Sequence, residues 1–134
     1  MHPFRFFALL ASAFLIACGS EQPDSPPPGF AKAFANLPLP PDPEFVSRSG
    51  GSDALQITFH SPAEVPQVIA YYRQALTRNK WRLVSHTDNP DGSAVLYAEQ
   101  EGPPLWVRIS KSSRGGATVE LTGAVIDAAK QSGR

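Results

Sequence analysis

The sequence predicts an α+β fold in which one helix packs on one face of an antiparallel sheet, with the elements in the order β-β-α-β-β-β-β. Three observations lead to this prediction. Short segments after residue 44 alternate apolar and polar residues, as strands with one buried face do. One central segment has apolar residues at helical spacing, and turn signals separate the later strands at intervals that suit hairpins.

Two strands joined by a turn open the predicted domain. Glu44–Arg48 and Ala54–His60 flank a Ser-Gly-Gly-Ser-Asp segment whose glycines suit a turn with positive φ. Every other residue of the second strand is apolar, so one face of this strand is expected to be buried. His60 then lies on the solvent side, as a solvated histidine rather than a ligand or a catalytic base.

A helix is predicted from about Pro62 to Asn79. Its apolar stripe consists of Val65, Val68, Ile69, Tyr72 and Leu76. Ser61 and Glu64 have the spacing of a capping box at its start. Pro66 lacks an N–H, so either the first turn is irregular or the regular helix begins near Pro66.

Three turn signals set the pairing of the remaining four strands: Asn89-Pro90-Asp91-Gly92, Gly102-Pro103 and Ser113–Gly115. Counting outward from these turns places Tyr97 opposite both Ser85 and Val107, and Arg108 opposite Glu120. The resulting apolar face, expected to cover the helix, collects Trp81, Leu83, Val95, Tyr97, Leu105, Val107, Ile109, Val119 and Leu121. A slip of one residue would turn this face toward water.

The opposite face of the sheet is the candidate functional surface. The predicted register puts Trp106, Arg108, Leu96 and Val84 there. Trp and Arg are enriched among the residues that dominate protein interfaces, so we predict these four residues to bind a protein partner. Alternatively, another segment of the chain covers this face, or the apolar side chains are simply scattered on the surface.

The first 17 residues predict a secretory signal. Arg5 precedes the short apolar run Phe6–Ile16, which is too short to span a bilayer. Leu15-Ile16-Ala17-Cys18 resembles the lipobox of bacterial lipoproteins. This resemblance implies that Cys18 receives diacylglycerol, that residues 1–17 are removed, and that the new amino group is acylated. Because Gly19-Ser20 follows instead of Asp, the family analogy favours the outer membrane over the inner membrane, with the domain facing the periplasm.

A proline-rich stretch follows Cys18 and extends to residue 43. Its composition predicts an extended linker between the lipidated cysteine and a domain of residues 44–125, with a polar tail at 126–134. One apolar island interrupts the linker, since Phe30, Phe34 and Leu37 have helical spacing. The island either packs back on its own domain or docks in the groove of a partner.

A second resemblance lies at the helix. Tyr71-Tyr72-Arg73, Leu76 and Lys80-Trp81 resemble the Tyr-Tyr-Arg…Leu…Gly-Trp pattern of many uncharacterised bacterial lipoproteins and secreted domains. Lys80 stands where Gly is usual, and the matching residues look structural. By architecture, the predicted fold is also similar to accessory lipoproteins of outer-membrane protein assembly, a likeness that carries little functional weight.

Charge and motifs narrow the function. Without residues 1–17 the chain has 11 basic and 12 acidic side chains and no basic cluster, which argues against a nucleic-acid partner. The sequence has no nucleophile elbow, phosphate-binding glycine loop or His-Glu-x-x-His motif, so we predict no catalytic residues, metal or cofactor. We predict a noncatalytic binding or scaffolding module of the bacterial cell envelope, held in the membrane through Cys18, with an envelope protein as partner. The alternative is an envelope hydrolase or a carrier of small apolar ligands that uses a pocket between helix and sheet.

Overall fold

The structure, a computed structural model, describes residues 29–51 and 53–124. The elements are α1 (Phe30–Ala33), β1 (Glu44–Gly50), β2 (Ala54–Ser61), α2 (Val65–Ala75), β3 (Arg82–Asp88), β4 (Ala94–Glu99), β5 (Leu105–Lys111) and β6 (Ala117–Ala124). The strands form one antiparallel sheet in the order β1-β2-β6-β5-β4-β3. The predicted α+β class is therefore confirmed, whereas the predicted order of elements lacked α1.

Helix α2 is shorter than predicted at both ends. Its N-cap residue is Glu64, whose N–H donates to the side-chain oxygen of Gln67 at 3.2 Å. Pro66 thus lies in the first turn, where a missing N–H costs little. Ser61 does not cap the helix, whose N-cap residue lies three residues later; its hydroxyl accepts from the N–H of Ala63 at 3.3 Å and donates to the carbonyl oxygen of Pro41 at 2.6 Å.

The core lies between the sheet and the two helices. The sheet contributes the fully buried side chains of Leu55, Ile57, Leu96, Leu105, Val107, Ile109, Val119 and Leu121. Helix α2 contributes Val68 and Tyr72, and its C-cap residue is Leu76; all three are also fully buried. These residues form one cluster, and this cluster occupies the space in which the alternative prediction placed a ligand pocket.

Helix α1 and the residues after it belong to the same core. Phe30, Phe34 and Leu37 are buried in the cluster formed by the apolar face of the sheet. The ring of Phe34 lies against Gly123, where an added Cβ would be 2.6 Å from the ring carbon Cε1. The apolar island predicted within the linker therefore packs on its own domain, the first of the two alternatives.

Side chains from α2 hold the segment that follows α1. The hydroxyl of Tyr71 donates to the carbonyl oxygen of Leu39 at 2.7 Å, and that of Tyr72 donates to Pro38 at 3.3 Å. These bonds give partners to carbonyl groups that lie outside the sheet. The two tyrosines of the Tyr-Tyr-Arg pattern are thus structural, and the chain from Phe30 onward packs as part of the domain rather than as an extended linker.

The pairing of β5 with β6 confirms the predicted register. Arg108 lies opposite Glu120, and Val107 lies opposite Leu121. The connecting turn includes Gly115, whose φ of 84° suits a residue without a side chain.

The pairing of β4 with β5 differs from the prediction by one residue. Leu96, not Tyr97, lies opposite Val107. The expected position of Leu96 on the face away from the helix is therefore wrong, as is the expected position of Val95 and Tyr97 in the core. The connection between β4 and β5 is one residue longer than predicted, and a shift of one residue changes the face of every side chain.

Each edge strand contains a β-bulge. The register shift in β3 leaves Val84 without an opposite residue, and the shift in β1 does the same for Val46. The turn count predicted that Leu83 lies opposite Glu99. Because of the bulge, Leu83 lies opposite Ala98 instead. Bulges on edge strands hinder pairing with a strand of another molecule.

The predicted signal peptide, Cys18 and the polar tail at 126–134 lie outside the described residues. Within residues 29–51 and 53–124, neither helix is long and apolar enough to cross a membrane.

Candidate functional site

The candidate site is the outer face of the sheet, which we define as the face opposite the two helices. At its centre Tyr97 and Trp106 lie opposite each other on β4 and β5. Their ring centroids are 5.0 Å apart, and the ring planes are inclined by 36°. Trp106 is 43% exposed. The aromatic pair stabilises the contact between the two strands and also presents apolar area to solvent.

A carboxylate with two donors flanks the aromatic pair on one side. Glu99 accepts hydrogen bonds from the Tyr97 hydroxyl at 2.8 Å and from the Arg82 guanidinium at 2.7 Å. The hydrogen bond from Tyr97 is the main reason that the pKa of Glu99 is lowered, and the bond from Arg82 is the second reason. The hydrogen bond between Tyr97 and Glu99 also raises the pKa of Tyr97. Glu99 is therefore ionised and Tyr97 protonated at neutral pH, with both side chains oriented along the face.

A second ion pair flanks the aromatic pair on the other side. The Nε of Arg108 lies 3.8 Å from an oxygen of Glu120, and the side-chain amide of Gln56 donates to the other Glu120 oxygen at 3.4 Å. Exposed pairs of this kind contribute about 0.2–1 kcal/mol. The guanidinium of Arg108 is thus free enough to exchange its partner for a group on another molecule.

The four predicted site residues have three different positions in the structure. Trp106 and Arg108 lie on the outer face, in adjacent rows of β5. Leu96 lies in the core and is fully buried, so it has no surface to offer a partner. Val84 lies in the bulge of edge strand β3 and is 49% exposed, away from the centre of the face. The structure therefore brings together only two of the four residues.

Sequence reasoning missed Tyr97, Glu99 and Arg82. It assigned Tyr97 to the core because the count from the Gly102-Pro103 turn placed Tyr97 opposite Val107, whereas Tyr97 lies opposite Trp106. One signal pointed to the correct face: Glu99 follows Tyr97 by two residues, so both must lie on the same side of β4. The face of β4 that includes the charged residue Glu99 is therefore expected to face solvent.

Two surface clefts lie away from the outer face. The first, of about 540 Å³, is lined by Lys32, Ala35, Asn36, Lys80, Gln100, Glu101 and Pro103. The second, of about 430 Å³, is lined in part by Asp91, whose carboxylate accepts hydrogen bonds from Ser93. These bonds lower the pKa of Asp91 and fix the turn before β4. In the part of the chain that the structure describes, no group of His, Cys, Asp and Glu is arranged to hold a metal ion.

Together, the fold and the outer face define a small α+β domain whose antiparallel sheet carries helices on one side. The START domain-like family matches residues 43–122, more than half of the 134 residues, and the chain belongs to this family. Comparisons with curated proteins and with solved structures gave no match. The matched range begins after α1, so Phe30 and Phe34 extend the core beyond the part that defines the family.

Proposed function

We propose that this protein is a noncatalytic binding module of the bacterial cell envelope, and that its outer face contacts an envelope protein. The pair of half-buried Tyr97 and exposed Trp106 at the centre of the face carries this proposal. Trp, Tyr and Arg are the residues whose truncation most often weakens an interface, and Arg108 lies two residues from Trp106 on the same face. Membership of the START domain-like family also supports a binding role, which is typical of such domains.

The charges around the aromatic pair suit an interface of this kind. Protein interfaces have an apolar centre and a polar, hydrated rim. Here the rim consists of the Arg82–Glu99 pair on one side and the Arg108–Glu120 pair on the other. Because neither pair is buried, a partner can form new hydrogen bonds with them without leaving a buried charge unpaired.

The location in this proposal depends on the lipobox resemblance at Leu15-Ile16-Ala17-Cys18. Each buried methylene adds about 0.8 kcal/mol to membrane binding, so the two or three acyl chains implied at Cys18 anchor the protein stably. With Gly19-Ser20 after the cysteine, we propose the outer membrane as the site of anchoring and the periplasm as the compartment of the domain.

A small apolar ligand is the second candidate, and the family match favours it. Phe34, Tyr72 and Leu76 occupy the space between the helices and the sheet, so a ligand there requires this core to open. The cleft of about 540 Å³ offers the alternative position on the surface. No observation among the described residues favours the hydrolase.

Site-specific photo-crosslinking tests the protein-binding proposal. Thr122 lies opposite Trp106 on the neighbouring strand, so a photoreactive amino acid at this position samples the centre of the outer face. The same group at Arg73, an exposed residue of α2, samples the other side of the molecule. We expect one envelope protein to be captured from position 122 in intact cells and not from position 73.

Two alanine substitutions, at residues that are exposed to a similar extent, sharpen this experiment. Trp106→Ala is expected to lower the capture from position 122 at least tenfold, because it removes the centre of the interface. Val84→Ala removes an apolar side chain that is exposed to a similar extent, 49% against 43%, and is expected to leave the capture unchanged. Equal capture from both positions, or capture that Trp106→Ala does not reduce, would contradict the proposal.

A further inference from the structure

We propose that the exposed edge of β1 lies against the lipid headgroups, so that the sheet stands on its edge at the membrane surface. This inference rests on the proposed anchor at Cys18 and adds to it the surface that the anchor brings to the membrane. The occupant of the β1 edge is therefore a phospholipid surface.

The chain enters the domain beside β1. Gly29 is the first described residue, and a Cβ built on it would lie 3.6 Å from a terminal nitrogen of Arg48 and 3.8 Å from a methyl carbon of Leu55. Arg48 belongs to β1, and Leu55 belongs to β2. The segment between Cys18 and Gly29 therefore joins the domain at the edge of the sheet that β1 and β2 form.

This segment is short. Cys18 and Gly29 are 11 residues apart, and this length spans about 40 Å when fully extended. Because Phe30, Phe34 and Leu37 are packed in the core, the chain after Gly29 cannot lengthen the tether. Neighbouring strands are about 4.8 Å apart, so β3, at the opposite edge of the sheet, is about 24 Å away from β1. The tether therefore joins the domain beside β1, and the side chains of β1 decide whether this edge faces the lipid.

Strand β1 exposes apolar side chains at this point. Phe45 is 45% exposed and Val46 is 51% exposed. Phe45 contacts Phe59 edge-on, with centroids 6.2 Å apart, so the core holds one edge of its ring while the rest faces outward. Adjacent apolar side chains on an exposed edge are suited to the boundary between headgroups and acyl chains.

The charges of β1 favour a phospholipid surface. Its two charged residues are Glu44 and Arg48. Glu44 forms an ion pair with Arg114 at 3.1 Å, which reduces its repulsion of an anionic surface. A guanidinium group binds phosphate oxygens through two hydrogen bonds, and Arg48 is on the same strand as the exposed apolar pair.

The bulge at Val46 argues against a strand of another protein as the occupant. A bulge interrupts the row of hydrogen-bonding groups that strand addition needs. Placing β1 on the membrane also leaves the outer face upright and accessible. Trp106, on β5, is three strands from β1 in the sheet and therefore about 14 Å above the headgroups.

The two bulge valines provide a matched pair for the test. Val46 and Val84 are 51% and 49% exposed and lie at opposite edges of the sheet. Cys18 is the only cysteine of the chain, and its acylated thiol does not react with labels. Val46→Cys or Val84→Cys in the full-length lipidated protein therefore gives one site for a fluorophore. Each labelled protein is inserted into vesicles of phosphatidylethanolamine and phosphatidylglycerol, with or without nitroxide-labelled phospholipids.

We expect nitroxide lipids to quench the fluorophore at position 46 at least threefold more strongly than the one at position 84. Adding Phe45→Ser and Arg48→Gln to the position 46 variant is expected to reduce its quenching toward the level of position 84. Equal quenching at the two positions would overturn the proposal. So would a fluorophore at position 46 that is shielded from aqueous iodide but not quenched by the lipids, since this result assigns the edge to a protein, such as a second copy of the chain.

The anchor itself is checked before vesicles are made. Mass spectrometry of the purified wild-type protein is expected to show an N-terminal Cys18 that carries diacylglycerol and an amide-linked acyl chain. A free thiol with residues 1–17 still attached would refute the anchor in the proposed function. Acylated protein without selective quenching would refute only the orientation.

Discussion

The two faces of the sheet use the same strands in different ways. Toward the helices, Leu96, Val107 and Leu121 are fully buried in one apolar cluster. Away from the helices, β5 presents Trp106 and Arg108, which are exposed. Burial of apolar area dominates folding stability, whereas exposed charges contribute little. The side chains that face the helices therefore supply most of the free energy of unfolding, and residues of the outer face can serve binding at little cost in stability. Three substitutions test this division.

The largest effect is expected for Phe34→Ala on the helix side. Phe34 is 1% exposed, and truncating a buried phenylalanine costs about 3–5 kcal/mol. In a domain of this size such a loss lowers the melting temperature by more than about 10 °C. Urea unfolding followed by circular dichroism measures the change in the free energy of unfolding, and a thermal melt measures the change in melting temperature.

Two further variants control this result. Phe45→Ala removes the same side chain where it is 45% exposed, and is expected to cost only about 1 kcal/mol. Gly123→Ala places a methyl group against the Phe34 ring and is expected to destabilise by about 1–3 kcal/mol. If Phe34→Ala leaves stability unchanged, Phe34 is not part of the core that α1 and the sheet form.

An intermediate, pH-dependent effect is expected for Tyr72→Phe. Burial, and secondly the neighbouring Tyr71, raise the pKa of Tyr72 well above its ordinary value. The folded state thus holds this proton more tightly than the unfolded state, in which the pKa is about 10. The stabilisation is complete below pH 10 and is lost as the pH rises toward the folded-state pKa.

The Tyr72→Phe variant is expected to lose about 1 kcal/mol at pH 7, because the hydrogen bond to the Pro38 carbonyl is removed. It is also expected to lose stability less steeply above pH 10 than the wild type does. Unfolding in urea at pH 7 to 11 measures both effects. The same alkaline slope in the two proteins would show that Tyr72 is not the buried tyrosine that titrates.

The smallest effect is expected on the outer face. Glu120→Gln removes the charge 3.8 Å from Arg108 but keeps an acceptor for Gln56. The free energy of unfolding should fall by less than about 1 kcal/mol, and the difference should shrink in high salt. A double-mutant cycle with Arg108→Gln isolates the pair. A coupling above 2 kcal/mol would mean that the outer face also determines stability.

The two hairpins that include β5 show how far the sequence predicts the sheet. The pairing of β5 with β6 followed from its turn, and Arg108 opposite Glu120 agrees with the prediction. The pairing of β4 with β5 was wrong by one residue, because Gly102-Pro103 marks the place of a turn but not its length. As a result, Trp106 and Arg108 were placed on the correct face of the sheet, whereas Leu96 and Tyr97 were each assigned to the wrong one.

Packing also decided the role of the segment before β1. Its prolines are typical of an extended linker, and Phe30, Phe34 and Leu37 alone left open where the apolar island lies. Gly123 supplied the space for the Phe34 ring, and it is 89 residues away in the sequence. A contact between residues so far apart cannot be read from local composition.

The sequence by itself determined the α+β class, the six strands, the central helix and the hairpin of β5 and β6, because alternation, helical spacing and turn chemistry are local properties. Only the tertiary structure decided the face on which Leu96 and Tyr97 lie, the bulges at Val46 and Val84, and the packing of α1. These features depend on the length of a connection and on the fit of distant side chains, and one residue of difference reverses which side of a strand meets water.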